Sequence, residues 1–248
     1  AALLLLVRAG PARSAGGAEQ SEQVAWFPEG ASLLSFVGPL IFGTLLAAAL
    51  SLVLATPVAM GIALFISHYA PRRLASTLGY VVDLLAAIPS VVYGLWGSLV
   101  LPPVVVPVWS WLADTLGWFP LFAGPAAPTG RVLLTVALVL AVMILPIITA
   151  VSREVFLQTP KLHEEAALAL GATRWEMIRT AVIPFGRSGV ISAAMLGLGR
   201  ALGETMAVLM ILSPGLLYAV KILQAGQEQT IAAPIAAASR RASPVWAG

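Results

Sequence analysis

The sequence predicts an all-α polytopic membrane protein, and three observations carry that prediction. Hydrophobic residues make up 59% of the 248-residue chain and charged residues only 10%, against about 25% charged in a soluble domain. Four apolar runs each reach the length of about 20 residues that a helix needs to cross the hydrocarbon core. The basic residues gather in particular loops between those runs. With mean hydropathy at +0.94, a water-facing surface of ordinary character is excluded. The runs are too long, and too little alternating, for barrel strands. The chain has no cysteine, which excludes disulfides and Cys-ligated metals, and its two His make a His-rich metal site a poor fit. A net charge of +3 is too small to indicate nucleic acid.

The spans are expected at 39–66, 78–101, 131–151 and 188–212. Ala1–Val7 is apolar but too short to cross, and it lacks the basic start of a signal peptide. It reads as the end of a truncated span, followed by an external segment at 8–38. After Leu212, residues 213–248 read as an external loop and an incomplete C-terminus. The loop after the first span carries Arg72 and Arg73, and the loop after the third carries Arg153, Lys161, Arg174, Arg179 and Arg187. Together they hold seven of the fourteen Lys and Arg. Basic loops stay cytoplasmic, which sets the expected orientation. Trp109, Trp111, Trp118 and Phe119 then fall at the outer interface as aromatic anchors. Pro89, with Pro57 and Pro146, is a candidate kink that frees carbonyls beside a cavity. Asp83 lies near the cytoplasmic end of its span and reads as interfacial, with gating as the alternative.

The loop 152–187 reads as two short helices. Thr159 suits an N-cap, Pro160 the first helical position, and Gly171 the left-handed position past the helix end. Thr173 with Glu176 makes a capping box for the second helix, which Pro184 and Gly186 are expected to stop. Leu162, Ala166, Ala169 and Leu170 recur at helical spacing as a narrow apolar stripe. Such a hairpin either seats in a partner's groove or lies on its own bundle, and helix pattern alone does not choose between them.

In the fourth span Arg200 and Glu204 stand near mid-bilayer, Arg200 about 18 Å from Ser188 along a helix. A charge there costs at least about 2.5–3.5 kcal/mol. Spacing of i,i+4 on one helix puts the two within ion-pairing reach. Either they form a self-satisfied pair that glues helices, or Arg200 offers its planar fork to a passing oxyanion while Glu204 orients it and Thr205 lies beside the path. Gly197, Gly199 and Gly203 permit close helix approach. Gly197 to Gly203 has one residue too many for a dinucleotide fingerprint, and no phosphate-binding GxxxxGK[ST] loop occurs.

The loop residues carry a resemblance. Glu165-Ala166-Ala167, three residues, Gly171, nine residues and Ala181-Val182-Ile183-Pro184 resemble the EAA loop of type I ABC importer permeases. Ala181 and Ile183 stand where that family prefers Ile and Leu. Further segments are similar to the permease subunits of phosphate-specific ABC importers, the PstC family. They are His68–Arg73, Val82–Ser90 with Tyr93–Gly97, Ile144–Ile147 with Ser152–Phe156, Gly186–Val190, and Met195–Thr205. The likeness runs from about Val37 to Leu212, and the last span of such a subunit is not found.

The resemblance implies the type I importer helix bundle in a bacterial plasma (inner) membrane. It also implies a coupling helix at Glu165–Gly171 that docks on an ATPase. The implied partners are a second permease subunit (PstA-like), an ATP-binding subunit pair (PstB-like) and an extracytoplasmic phosphate-binding protein (PstS-like). ATP and Mg would then sit on the partner ATPase, with no cofactor in this chain. The favoured expectation is a non-enzymatic subunit moving phosphate inward by alternating access. A permease for sulfate or molybdate, an ion-coupled secondary transporter and a purely structural scaffold are the alternatives. A secondary transporter leaves the docking loop idle, and a scaffold gives no reason for Arg200.

Overall fold

A computed structural model describes residues 33–119, 122, 126–212 and 223. The expected elements at 1–7 and 213–248, apart from Leu223, lie outside the described residues, as does most of 8–38. Among the described residues all regular structure is helical.

Helix α1 is Leu33–Leu64 and runs into a π-helical turn at Phe65–Tyr69. It therefore starts within the segment expected to be external and extends past the expected 66. Helices α2, Arg72–Ala86, and α3, Ser90–Leu99, take the place of the continuous span expected at 78–101. They are bent by 86° across the break between them. Pro89 explains the break. It has no N–H to donate to Leu85, and it pushes Ile88 away from helical torsions. Pro57 and Pro146, by contrast, lie within uninterrupted α1 and α5.

Helix α4, Pro102–Leu116, falls in what the sequence suggested was outer-interface loop. The Trp anchors divide there. Trp111 and Trp118 are exposed, whereas Trp109 is buried and its Nε1–H donates to the Thr135 hydroxyl at 3.0 Å. An indole buried in protein needs such an acceptor. Helix α5, Leu133–Leu157, runs past the expected end at 151 and takes Ser152, Arg153 and Glu154 into helix. Helix α6 is Lys161–Ala169 and α7 is Arg174–Leu202, with a π turn at Ile178–Val182 inside it. Pro184 and Gly186 thus do not stop the helix capped by Thr173, which continues as the fourth span. The π turn places the irregular hydrogen bonding directly before Pro184, where a regular ladder would lack a donor. Helix α7 ends at Leu202, and a short α8, Met206–Ile211, follows the break. The expected span 188–212 is therefore two helices.

Helices α1, α5 and α7 are long and apolar enough to cross a membrane, and the bent pair α2 and α3 makes a fourth span or a re-entrant loop. The chain divides into two compact units. One comprises the described residues of Ala1–Ala47, Gly94–Val136 and Glu204–Gly248, the other Ala48–Tyr93 and Ala137–Gly203. In the first, Leu101, Val105, Trp109, Val132 and Leu133 are buried. In the second, Phe156 is the largest fully buried side chain, packed with Ala63, Leu64, Met177, Ile178, Val182 and Val190. Gly186 makes that packing fit, because a Cβ there would lie 2.7 Å from the Phe156 ring.

Candidate functional site

The expected site residues fall into two groups, both mainly in the second unit. The first group surrounds the break between α2 and α3. A helix leaves its last carbonyls without amide partners. Here Ala87 N–H donates to Leu84 at 3.1 Å and Ile88 N–H to Leu85 at 3.3 Å, so the ladder tightens as it ends. Two side chains supply donors from elsewhere. The Tyr93 hydroxyl donates to the Leu85 carbonyl at 3.0 Å. The Arg200 guanidinium donates through Nη1 to Ala86 and through Nη2 to Ile88, both at 3.4 Å. The partial negative charge at the C-terminal end of α2 favours a cation there. Arg200 is half-buried and stands in the last turn of α7, where the same rule applies.

Glu204 does not share that helix. With α7 ending at Leu202, the i,i+4 geometry expected for Arg200 and Glu204 does not arise. Glu204 is buried instead at the start of α8, where its Oε1 accepts the Ala207 N–H at 3.0 Å. A carboxylate at a helix start meets unpaired amides and the positive dipole end. Thr205 occupies the N-cap position of α8 with no side-chain cap bond. Of the three glycines, only Gly197 marks a close approach: a Cβ there would lie 3.0 Å from Ile148 Cγ1 and Cδ1. Gly199 faces open space, and Gly203 is exposed at the end of α7. Pro89 lies in the break, and Asp83 is exposed three residues before the end of α2, nearer the break than the loop at Arg72.

The second group is α6 and its turn. Leu162, Ala166, Ala169 and Leu170 are all exposed, Leu170 by 90%, so the stripe does not lie on its own bundle. Glu165 is exposed as well, while Ala167 is half-buried. Thr159 does not cap α6. Pro160 holds the cap position, and the buried Thr159 hydroxyl has no hydrogen-bond partner among the described residues. The far end follows the sequence closely. Gly171 has φ +87°, its N–H donates to Leu168 at 3.0 Å, and Ala172 N–H donates to Ala167 at 3.2 Å. These are the paired bonds of a Schellman motif, which needs the left-handed residue. Directly after it, Glu176 N–H donates to the Thr173 hydroxyl at 3.3 Å and Thr173 N–H to Glu176 Oε2 at 2.7 Å. The capping box is complete. Ala167 and Pro184, at opposite ends of the EAA spacing, meet across an open groove of about 460 Å³ with His163, Thr180, Ala181 and Phe185.

Helix α6 is also tied to the end of α1. His68 Nε2 lies 3.6 Å from Glu164 Oε1, and its Nδ1 is 2.7 Å from the Ser67 hydroxyl. The model of the binding-protein-dependent transport system inner membrane components matches residues 55–239, which takes in both groups. The chain belongs to that family. Among curated relatives, the phosphate transport system permease protein PstC 2 of Mycobacterium tuberculosis is 52% identical over 214 residues, 85% of this chain and 66% of the relative. PstC of Mycobacterium leprae is 50% identical, covering 85% of this chain and 67% of its own length. PstC of Xylella fastidiosa is 44% identical over 79% of this chain and 61% of the relative. The chain thus spans about two thirds of the length of the relatives it matches.

For this inner membrane component, sequence reasoning missed three contacts. Tyr93 reaches back eight residues over a bend that no periodicity announces. The His68–Glu164 pair joins segments far apart in the chain. Gly79 leaves the space that the Arg153 guanidinium fills, since a Cβ there would overlap Nη1.

Proposed function

We propose that the chain is the membrane permease subunit of an ATP-driven importer that carries inorganic phosphate into the cytoplasm by alternating access. The observation that carries this reading is Arg200, a half-buried cation in a candidate span whose fork rests on two backbone carbonyls and, among the described residues, on no carboxylate. Of its five N–H donors three have no partner among the described residues and would serve an oxyanion. The names of the relatives support phosphate over sulfate or molybdate.

Helix α6 would dock in a groove of an ATP-binding subunit pair, with Leu162, Ala166 and Leu170 as its apolar contact. The chain carries no nucleotide motif, so ATP and Mg would be held by that partner. A second permease subunit would complete the path, and an extracytoplasmic phosphate-binding protein would deliver the anion. Pro184 and Ala167 line the groove behind α6 and would carry its displacement into α7. Closure of the ATPases would move α6, the Gly171 turn would pass the motion to the Thr173 cap, and α7 would carry it to Arg200.

The test is reconstitution of the full-length permease with its partners in vesicles. Phosphate uptake should require ATP and the binding protein, sulfate should not be taken up, and Arg200→Ala should abolish uptake while assembly persists. Normal uptake by Arg200→Ala, or uptake without the ATPase, would sink the proposal.

A further inference from the structure

We propose that Tyr93 and Arg200 together form a substrate-released latch on the helix break at Ala87–Pro89, with Tyr93 as a positioning residue for transport. The inference rests on the reading that Arg200 meets the anion, and it adds what happens to the protein when it does.

The carbonyls at the break need outside donors for a definite reason. Leu85 loses its i+4 donor because that residue is Pro89, which has no N–H, and keeps only the tighter bonds from Ala87 and Ile88. Ala86 loses its own because the chain turns by 86° before Ser90. Tyr93 serves the first through a hydroxyl at 3.0 Å, and Arg200 serves the second and Ile88. Tyr93 is buried, so water is a poor substitute for its hydroxyl. The three bonds are unequal. An N–H···O bond is ordinarily about 2.7–3.2 Å long, so the two Arg200 contacts at 3.4 Å are stretched. A bond from guanidinium to an anionic oxygen is shorter and about twice as strong as one to a neutral acceptor. A phosphate therefore takes the guanidinium from the carbonyls. Gly199, beside which a Cβ would meet nothing within 4 Å, leaves the helix surface next to Arg200 open for it.

Once Arg200 turns to the anion, Ala86 and Ile88 lose their donors and Tyr93 alone holds the break from outside. The span then becomes easier to straighten or rebend when phosphate is present, which links occupancy to the motion that moves it on. Without phosphate the break is held at three carbonyls and idle cycling is suppressed. Tyr93 keeps the break in register so that the Ala86 and Ile88 carbonyls face Arg200 again after release.

The experiment is hydrogen–deuterium exchange on the intact transporter in nanodiscs, following the peptide that contains the Ala87 and Ile88 amides. In the unsubstituted protein, phosphate-loaded binding protein should speed exchange at this peptide by about fivefold, the factor carried by one net hydrogen bond. In Tyr93→Phe, exchange should already be fast without phosphate, the phosphate-dependent increase should shrink, and ATP hydrolysis without binding protein should rise. No substitution is needed for the first measurement, so a misfolded variant does not decide the matter. Unchanged exchange alongside normal phosphate uptake overturns the latch and leaves the permease reading standing. Absence of phosphate uptake in the unsubstituted transporter overturns that reading and this inference with it. A Tyr93→Phe protein with unsubstituted exchange, uptake and basal hydrolysis removes Tyr93 from the latch.

Discussion

Replacing Gly171 with Ala isolates one backbone angle. At φ +87° an L side chain is strained, yet a Cβ there would meet nothing within 4 Å. Packing therefore contributes no penalty, and the whole effect is conformational, about 1–2 kcal/mol for a left-handed residue. The strain is relieved if the two Schellman bonds from Gly171 and Ala172 open, which frays the end of α6 and swings Leu170. If the docked state needs that end formed, the full strain falls on docking. One to two kcal/mol is a factor of about 5–30. The assay is titration of nanodisc-embedded permease with the ATP-binding subunit, reading the concentration that gives half-maximal assembly. Gly171→Ala should raise it by about 5–30-fold. Gly171→Asn should raise it by less than about threefold, since Asn enters the left-handed region more readily. Equal affinities for Gly and Ala, or an Asn variant as weak as Ala, would refute the reasoning.

Three further outcomes follow from the packing. Gly186→Ala should lower the melting temperature in detergent more than Gly197→Ala, because the added Cβ would lie 2.7 Å from the rigid Phe156 ring in the first case and 3.0 Å from Ile148 Cγ1 and Cδ1 in the second. Overpacking of the first kind costs about 1–3 kcal/mol, and equal shifts would contradict it. Trp109→Phe should destabilise by about 1–3 kcal/mol, since it strands the buried Thr135 hydroxyl, while Trp111→Phe at an exposed position should be silent in the same unfolding measurement. Thr173→Ala should speed amide exchange at Arg174–Met177 by about fivefold, the loss of an N-cap being worth about 1 kcal/mol; protection equal to the parent protein would rule out the capping box as the anchor.

What the sequence made legible was governed by local chemistry. The long helices follow from apolar runs that nothing interrupts. Gly171 and Thr173–Glu176 follow from backbone requirements of one residue or one turn, and both took the geometry their spacing demanded. The apolar stripe on α6 followed from period alone, but its exposure did not. The break at Pro89 was not separable from Pro57 and Pro146, because hydropathy does not register amide donors. Whether a proline breaks a helix depends on who serves the freed carbonyls, and at Pro89 the servants are Tyr93 and Arg200, the latter more than a hundred residues away in the chain. The pairing of Arg200 with Glu204 failed for a related reason. Spacing of i,i+4 implies proximity only while the helix lasts, and α7 stops at Leu202.

That failure bears on how a transporter keeps a cation in the membrane without spoiling it. A carboxylate at i+4 would offset the charge fully, and an arriving oxyanion would then compete with an ion pair in a poorly screened setting. The two carbonyls of the broken span offset it only in part. They carry fractional charge, they sit at 3.4 Å, and the dipole of α2 adds to them without closing the fork. On the proposed reading, Arg200 is thereby stabilised enough to stay in a span and held weakly enough to be taken by a dianion. A direct comparison separates the two designs. Ala86→Glu adds a carboxylate on the residue whose backbone carbonyl is one of the acceptors, so uptake should fall sharply if that carboxylate pairs with Arg200, even though the cation is better neutralised. Uptake at or above the parent rate in that variant would mean that partial neutralisation by backbone carbonyls is not what keeps Arg200 available.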